Sequence, residues 1–441
     1  MTTDQPTAGG NPPTRPGLAW FAWFLGALFY CYGFFQRVAP SVMTDDLMRD
    51  FAASGAILGN LTAFYFYAYA SLQIPIGLMV DRFGPRRMIA IATLLCGAGS
   101  VLFASASGIE TAYAGRALIG AGAGVAWIGA LQIAGLMFPA SRFATLSGLT
   151  LLLGMVGAIG AQKPLALMIA AAGWRATLLV AGVVAAGLAV AIWVTVRDSA
   201  APRDRHHAAT DFIGLVQGLR AAAGTPQTWT CGLYGAGLGV PVLAFAGLWG
   251  VPYMMQTYGL DRPAAALCTT WMLIGWAVGA PVAGWLSDRL HSRRKPMLVA
   301  ATMGLATLAL ALYVPGLPLF AVKVLFLVHG VFAGGMVLSF ATARENNRLA
   351  FGATVVSVVN MTVMGTTAAF QPLIGWLLDL GWDGHMEAGV RIYSAENYSM
   401  AMLALMAAGA VSVVAAWLTR ETGCRPVGDT IESSKIGEGS G

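Results

Sequence analysis

The sequence predicts an all-α membrane protein with twelve transmembrane helices in two six-helix bundles. Of its 441 residues, 57% are hydrophobic and only 10% are charged, whereas a soluble protein carries about 25% charged residues. Apolar spans of about 20 residues, enough to cross a bilayer, recur roughly twelve times along the chain. One charged motif occurs twice between such spans, at residues 77–87 and 284–294. A duplicated turn of this kind predicts two similar membrane-embedded halves, which is the plan of a secondary transporter.

The predicted helices divide the chain into five parts. They cover residues 18–43, 56–80, 88–106, 111–137, 143–171 and 174–196 in the first half, and residues 228–253, 264–286, 296–313, 317–342, 351–378 and 398–418 in the second. The predicted organisation is a tail (1–17), an N-terminal bundle (18–196), a linker (197–224), a C-terminal bundle (225–419) and a second tail (420–441). With six helices each, the two halves share one orientation in the membrane.

The positions of the basic residues predict the side of the membrane that each loop faces. Most of the 26 Lys and Arg residues lie in the tails, in the linker and in alternate turns between helices. The positive-inside rule places these loops and both termini in the cytoplasm. The net charge of +6 therefore reflects membrane topology and not a nucleic-acid partner. A composition rich in Ala, Gly and Arg suggests a bacterial inner membrane.

Other classes of function are disfavoured by the motifs that the sequence lacks. Its five cysteines are scattered without a CxxC pair, which argues against a disulfide framework or a zinc site. It has no P-loop pattern, so ATP-driven transport is not expected. The adjacent His206 and His207 have no acidic neighbours and make a poor catalytic site. We expect neither an enzyme nor a bound cofactor or metal.

The duplicated motif reads G-x-x-x-D-R-x-x-x-R-R in both copies. The first copy contains Gly77, Asp81, Arg82, Gly84, Arg86 and Arg87, and the second contains Gly284, Asp288, Arg289, Arg293 and Arg294, with His291 where the first copy has its second glycine. A further pattern, R-x-x-x-G-x-G, begins at Arg116 in the fourth predicted helix. Together these patterns resemble the signature motifs of the Major Facilitator Superfamily, over about residues 18–420. The resemblance implies transport by alternating access of the two bundles.

Physical roles follow for several residues of the first copy. Gly77 allows close approach of two helices, and Gly84 permits a tight turn with φ > 0. Asp81 can accept hydrogen bonds from a helix N-terminus in the other half, where the helix dipole favours an anion. The alternative to a gating role is that the arginines of the motif only determine which side of the membrane the turn faces. The candidate gating residues are Gly77, Asp81, Arg82, Gly84, Arg86, Arg87, Arg116, Gly284, Asp288 and Arg289.

A finer resemblance concerns the first two helices. Gln36-Arg37 followed by Ala39-Pro40-Ser41, and Gln73-Ile74-Pro75 before the first motif, are similar to the branch of the superfamily that carries organic anions. Proton-coupled sugar-acid carriers usually have an Asp-Arg pair in the first helix, whereas here Gln36 stands in place of the acid. This departure argues against carboxylate-based proton coupling.

Charged groups at membrane depth usually mark a transport pathway, because each costs about 2.5–3.5 kcal/mol to insert. Arg37 is the first candidate for substrate contact, since a guanidinium can hold a carboxylate or phosphate bidentately; a structural ion pair is the alternative. Lys163 is the second, with snorkelling to the surface as its alternative. His329 can bind substrate or take up a proton, or it packs with a hydrogen bond. Polar candidates are Tyr30, Gln162 and Asn360.

No Asp or Glu lies in the middle of a predicted span, so the cavity is predicted to be net positive. An organic anion of the carboxylate or sugar-acid type fits such a cavity. Coupling is then either anion exchange or proton symport through His329. Efflux of an amphipathic compound or a siderophore is the alternative transport function, and a non-transporting membrane sensor is the alternative of another class. The expected partners are the lipid bilayer, the substrate and a proton or counter-anion, and the fold implies that one chain is sufficient.

Overall fold

The computed structural model describes residues 16–196, 212–348 and 351–426. The first half contains helices α1 (Pro16–Val38), α2 (Thr44–Phe51), α3 (Gly55–Phe83), α4 (Pro85–Ala104), α5 (Ile109–Met137), α6 (Ala140–Gly160), α7 (Lys163–Ala172) and α8 (Trp174–Thr195). The second half contains α9 (Phe212–Gly224), α10 (Pro226–Val240), α11 (Gly250–Tyr258), α12 (Arg262–Arg289), α13 (Arg294–Tyr313), α14 (Leu319–Ala333), α15 (Val337–Glu345), α16 (Gly352–Leu380) and α17 (Ala395–Leu418). A short hairpin, β1 (Met386–Glu387) and β2 (Val390–Arg391), precedes α17.

The helices follow the predicted order, and their number is close to the predicted two sets of six. Within the described residues, ten helices are long and apolar enough to cross a membrane, or eleven if the bent pair α6–α7 is one span. The 29-residue α3 lies at the position of the predicted second helix. Parts of both predicted tails and residues 197–211 of the predicted linker lie outside the described residues, whereas its residues 212–224 form α9.

The outer surface of the bundles is apolar, as a lipid-facing surface requires. On α8, Val183, Val190 and Val194 are 70%, 64% and 69% exposed. Their spacing of i, i+7 and i+11 places them on one face of the helix. An apolar face of this kind does not remain in water, so the exposed stripe marks contact with the bilayer.

The prediction of one continuous helix over residues 143–171 was wrong. The chain instead forms α6 and α7, which meet at a bend of 42°. Pro164 lies in the first turn of α7. Proline has no N–H for the helical ladder, and it disfavours helical geometry in the residue before it. The bend brings the side chain of Gln162, which is completely buried, against the second half.

The predicted helix over residues 228–253 is also irregular. Between α10 and α11 the chain forms a π-helical segment, Pro241–Trp249. Proline at its start removes one backbone donor, and π turns are common at functional sites. Carbonyls within the segment accept side-chain hydrogen bonds from other elements: Leu243 from Gln371 and Ala246 from Gln162.

The two motif copies share one backbone feature. Gly84 has φ of 81° immediately before α4, which confirms the predicted positive φ. His291 occupies the corresponding position of the second copy and also has a positive φ, 48°. Non-glycine residues adopt this region with strain, although His is among the more tolerant ones. The positive φ is therefore retained in the second half even though the glycine is not.

The two halves approach most closely where α3 meets α16. A Cβ atom added at Gly375 would overlap the carbonyl of Gly55, and one added at Gly59 would overlap the carbonyl of Gln371. Glycines at such positions let two helix backbones come into contact. This contact joins the N-terminal end of α3 to the C-terminal end of α16.

We predict that Gly375→Ala destabilises the contact between the halves by about 1–3 kcal/mol, the usual cost of overpacking. The expected result is a lower unfolding temperature in detergent. Gly365→Ala is the matched control, because it lies on the same helix and its added Cβ has no neighbour within 4 Å. Equal unfolding temperatures for the two variants would contradict the prediction.

Candidate functional site

A buried guanidinium lies in the last turn of α1. Arg37 is only 5% exposed. Its Nε donates to the Tyr65 hydroxyl at 3.3 Å, and that hydroxyl donates to the Gly33 carbonyl. Its guanidinium carbon lies 4.3 Å from the ring centroid of Phe34 and 5.0 Å from that of Tyr69. In the described part of the chain no carboxylate forms a salt bridge with it, so aromatic faces are its main neighbours.

A chain of aromatic rings runs past Arg37 from one half to the other. The ring centroids of Trp127 and Tyr30 are 5.2 Å apart, those of Tyr30 and Phe34 are 5.0 Å apart, and those of Phe34 and Trp276 are 6.5 Å apart. Trp127 belongs to α5 in the first half, and Trp276 belongs to α12 in the second. The sequence analysis singled out Tyr30 but missed Phe34, Trp127 and Trp276, because apolar rings in a membrane helix have no distinctive sequence signal.

A second buried guanidinium contacts the same tyrosine, Tyr65. Arg116 on α5 is 1% exposed and donates from Nη1 to the Gln36 carbonyl at 2.9 Å. Its guanidinium carbon lies 5.2 Å from the ring centroid of Tyr65, the residue that also binds Arg37. Among the described residues its Nε and Nη2 have no hydrogen-bond partner. Its gating role stays a prediction; the structure places it beside the Arg37 site.

Two of the three predicted polar ligands are engaged in bonds between elements. Gln162 donates to the Ala246 carbonyl and accepts from the Thr269 hydroxyl, both at 2.9 Å. Asn360 donates to the amide oxygen of Gln73 at 3.2 Å. Both residues therefore join the first half to the second.

The other two charged candidates lie away from Arg37. Lys163 is exposed at the first position of α7, on the same face as the exposed Leu167. His329 is buried on α14, and its Nδ1 lies 2.9 Å from the Gly304 carbonyl on α13. Its Nε2 is buried and has no hydrogen-bond partner among the described residues. His329 therefore packs within the second half.

The first motif copy lies where α3 turns into α4. Gly77 and the side chains of Asp81 and Arg82 lie outside what the structure describes, so the bond of Asp81 to a helix N-terminus in the other half stays a prediction. Arg86 donates from Nε to the Trp193 carbonyl at 2.7 Å, and its guanidinium lies over the indole ring of Trp193. Arg87 is exposed. Arg86 thus ties the turn to α8 of its own half.

The second copy forms a charge network inside the second half. Arg293 bridges Asp288 at 2.7 Å and Glu345 at 2.8 Å. Arg289 lies over the Trp285 ring, and Gly284 has open space beside it. Glu421 accepts from the Ser292 hydroxyl and from the backbone N–H of Arg293.

Hydrogen bonding keeps Glu421 ionised. Burial raises its pKa, but the bonds from Ser292 and from the backbone outweigh burial and lower the pKa to about 2. A carboxylate that accepts several N–H bonds behaves in this way. Glu421 thereby attaches the segment after α17 to the turn of the second motif copy.

At the end of the molecule opposite the two motif turns, carboxylates join the two halves. This end is called here the closed end. Asp379, at the end of α16, accepts from the backbone N–H of Gly55 at 2.9 Å and of Ala56 at 2.8 Å, at the start of α3. The Tyr393 hydroxyl donates to it at 2.6 Å. A second bridge, 2.7 Å long, joins Arg262 to Asp46. The sequence alone does not reveal the partners of Asp379, because they come from the opposite half of the chain.

Two bundles of membrane-spanning helices, with a charged and aromatic centre between them, define an α-helical membrane protein built like a transporter. The chain belongs to the Major Facilitator Superfamily, whose family model matches residues 23–370. This confirms the family predicted from the motifs.

Individual relatives differ in what their names describe. A probable sulfoacetate transporter of Cupriavidus necator is 27% identical over 60% of this chain and 64% of its own length, so less than two thirds of that relative is matched. A probable hexose phosphate transport protein of Chlamydia pneumoniae is 24% identical over 82% of this chain and 86% of its own length. A membrane sensor protein of Escherichia coli is 24% identical over the same shares.

A solved structure shares the fold. The chain resembles a bacterial homologue of the human lysosomal transporter Spinster, determined in an inward-facing and unoccupied conformation, with a TM-score of 0.72. The two are 17% identical, and the match covers 93% of this chain and 98% of the other. At this identity the likeness shows the fold alone.

We predict that Asp379→Asn loosens the closed end, because the amide loses the negative charge that the α3 N-terminus favours. A charge-assisted bond contributes about 1.5–3 kcal/mol. A cysteine placed at Ala53, in a chain whose native cysteines are replaced by alanine, should therefore react with an impermeant thiol reagent about tenfold faster.

Asp383→Asn is the control for the closed end. It removes an exposed carboxylate four residues further along the chain. The prediction is contradicted if Asp379→Asn and Asp383→Asn both react with the thiol reagent at the same rate as the chain that carries neither substitution.

Proposed function

We propose that this protein is a secondary transporter that moves a small organic anion across a bacterial inner membrane by alternating access. One observation carries the proposal: Arg37 is a buried charge beside the aromatic rings that link the two halves, and no carboxylate of the described residues pairs with it. A buried unpaired guanidinium is costly, and an anion bound there would compensate it. Sulfoacetate and hexose phosphate, named for two relatives, are small anions.

The contacts between the halves support the conformational part of the proposal. The described ion pairs and cap bonds across the halves lie at one end, at Asp379 and at the Arg262–Asp46 pair. The motif ends bind within their own halves, Arg86 to α8 and Arg293 to Glu345. The positive-inside rule puts the basic motif turns and both termini in the cytoplasm. The proposed state is therefore closed at its outer end.

Alternating access requires a boundary in the chain between the two bundles. We propose the boundaries that the sequence predicts. The N-terminal bundle is residues 18–196, the C-terminal bundle is residues 225–419, and residues 197–224 link them. One chain contains both bundles, so we propose a functional monomer. Neither ATP hydrolysis nor a cofactor has a place in this mechanism.

Two coupling modes fit the site. Anion exchange needs only that Arg37 be paired whenever the halves move past each other. Proton symport would use His329, whose buried Nε2 has no partner among the described residues. A proton gradient distinguishes the two, since only symport accelerates net uptake when the outside is acidic.

A second candidate function is a non-transporting membrane sensor, which the Escherichia coli relative favours by its name. A sensor would bind the anion at Arg37 without moving it across the membrane. Efflux of an amphipathic compound or a siderophore is the alternative transport function. Binding without uptake supports the sensor, and uptake that does not depend on Arg37 supports efflux.

The test is uptake of labelled organic anions into proteoliposomes by the wild type, Arg37→Ala and Arg37→Lys. Loss of charge-assisted bonds of about 1.5–3 kcal/mol predicts a KM about tenfold to a hundredfold higher for Arg37→Ala. Arg37→Lys keeps the charge but not the bidentate geometry, so it should be intermediate.

Arg220→Ala is the matched control, because it removes an exposed arginine of α9. It should transport like the wild type. Anion uptake that is unchanged in Arg37→Ala, with both variants folded by thermal unfolding, would overturn the proposal.

A further inference from the structure

Resting on the proposed function, we infer that the substrate is an aromatic monoanion, an arenesulfonate or arenecarboxylate with one charged group on a flat ring. The anionic group pairs with Arg37. The ring packs among the side chains of Tyr30, Phe34, Trp127 and Trp276, which are called here the ring cluster.

The ring cluster is suited to a flat apolar body. Its four members form a continuous series of centroid contacts of 5.0–6.5 Å across the two halves. Aromatic rings prefer other aromatic rings in edge-to-face or offset geometry at such distances. Trp127 is partly buried, whereas Tyr30, Phe34 and Trp276 are buried in this state, so Trp127 presents the accessible ring surface of the cluster.

The charge of the site matches a single anionic group. Arg37 touches the ring cluster directly, through Phe34 at 4.3 Å. Arg116 lies on α5 at the Tyr65 ring, is 1% exposed, and gives one of its nitrogens to the Gln36 carbonyl. Its described contacts, with Gln36, Tyr65 and Phe103, include no member of the ring cluster. A phosphate monoester, with its charge of about −1.5 to −2 at neutral pH, would leave part of its charge unmatched.

Two of the three predicted polar ligands are already engaged. Gln162 is bonded to Ala246 and Thr269, and Asn360 is bonded to Gln73, which itself donates to the Gly124 carbonyl. A sugar would need partners for its many hydroxyls, and unpaired buried hydroxyls are strongly disfavoured. An aromatic ring needs none, so the site selects for it.

An aromatic ligand also connects the two halves. Trp127, Tyr30 and Phe34 belong to α5 and α1, whereas Trp276 belongs to α12 of the second half. A ring held between them contacts both bundles at once. The ligand's differential contacts with the two states can then shift the equilibrium between them.

The experiment compares two permanent anions of similar shape, benzenesulfonate and cyclohexanesulfonate, as competitors of labelled benzenesulfonate uptake into proteoliposomes. A sulfonate does not cross the bilayer as a neutral acid. Ring stacking predicts a preference of about two- to tenfold for the aromatic anion. Sulfoacetate and glucose 6-phosphate form the aliphatic and sugar arms of the panel.

Two variants test the ring cluster directly. Trp276→Leu should abolish the preference for benzenesulfonate over cyclohexanesulfonate, whereas Trp276→Phe should keep most of it, which separates loss of the ring from loss of folding. Trp417→Leu is the control, since Trp417 is 62% exposed on α17; it should keep the wild-type preference.

The outcomes separate this inference from the function on which it rests. Uptake of sulfoacetate or glucose 6-phosphate that depends on Arg37, with no preference for the aromatic sulfonate, overturns the aromatic substrate and leaves the anion transporter. A preference that persists in Trp276→Leu also overturns it. Absence of any Arg37-dependent anion uptake overturns both.

Discussion

The charge of Arg37 sits among apolar helices without a carboxylate in the described structure, and much of the centre is arranged around it. Its stabilisation comes from the Tyr65 hydroxyl and from aromatic faces. This arrangement requires α1, α3 and α5 to lie very close together. A Cβ at Gly120 would overlap the backbone of Tyr65, so this glycine lets Tyr65 reach Arg37 and Arg116 at once. The small residues of the helices thus determine where the charge can be held.

The irregular backbone segments serve the contact between the halves. Backbone groups in a membrane must be satisfied, and departures from the helix are tolerated only where protein or a cavity provides partners. The break at Gln162 and the π-helical segment meet this condition together, because the Gln162 amide binds the Ala246 carbonyl. Gln371 binds the Leu243 carbonyl, and its own carbonyl accepts from Trp249. The bond from Gln162 also joins the two halves, whereas the bonds of Gln371 lie within the second half.

At the closed end, Asp379 makes the kind of bond that the first motif copy predicts for Asp81 at the other end. The sequence analysis assigned to Asp81 a helix N-terminus in the opposite half as its partner. Asp379 makes this kind of bond with the N-terminus of α3, and Gly55 and Gly375 allow the approach. A carboxylate at a helix N-terminus is a reversible contact between rigid elements, since its strength comes from the helix dipole and two N–H donors. Alternating access needs contacts of this kind, strong enough to close one end and local enough to break.

By itself the sequence determined the membrane class, the two-part plan, the family and the positive φ of Gly84, because length, hydrophobicity and a repeated motif are local properties of the chain. It also singled out Arg37, since a charge in an apolar span is visible without a structure. The helix break at Gln162, the π-helical segment and the partners of Gln162 and Asn360 were decided by the tertiary structure. So was the ring cluster, because Tyr30, Phe34, Trp127 and Trp276 come from three helices. Contacts between helices depend on packing angles and on which face each helix presents, and a pattern of apolar residues that are buried by protein or by lipid does not distinguish those faces.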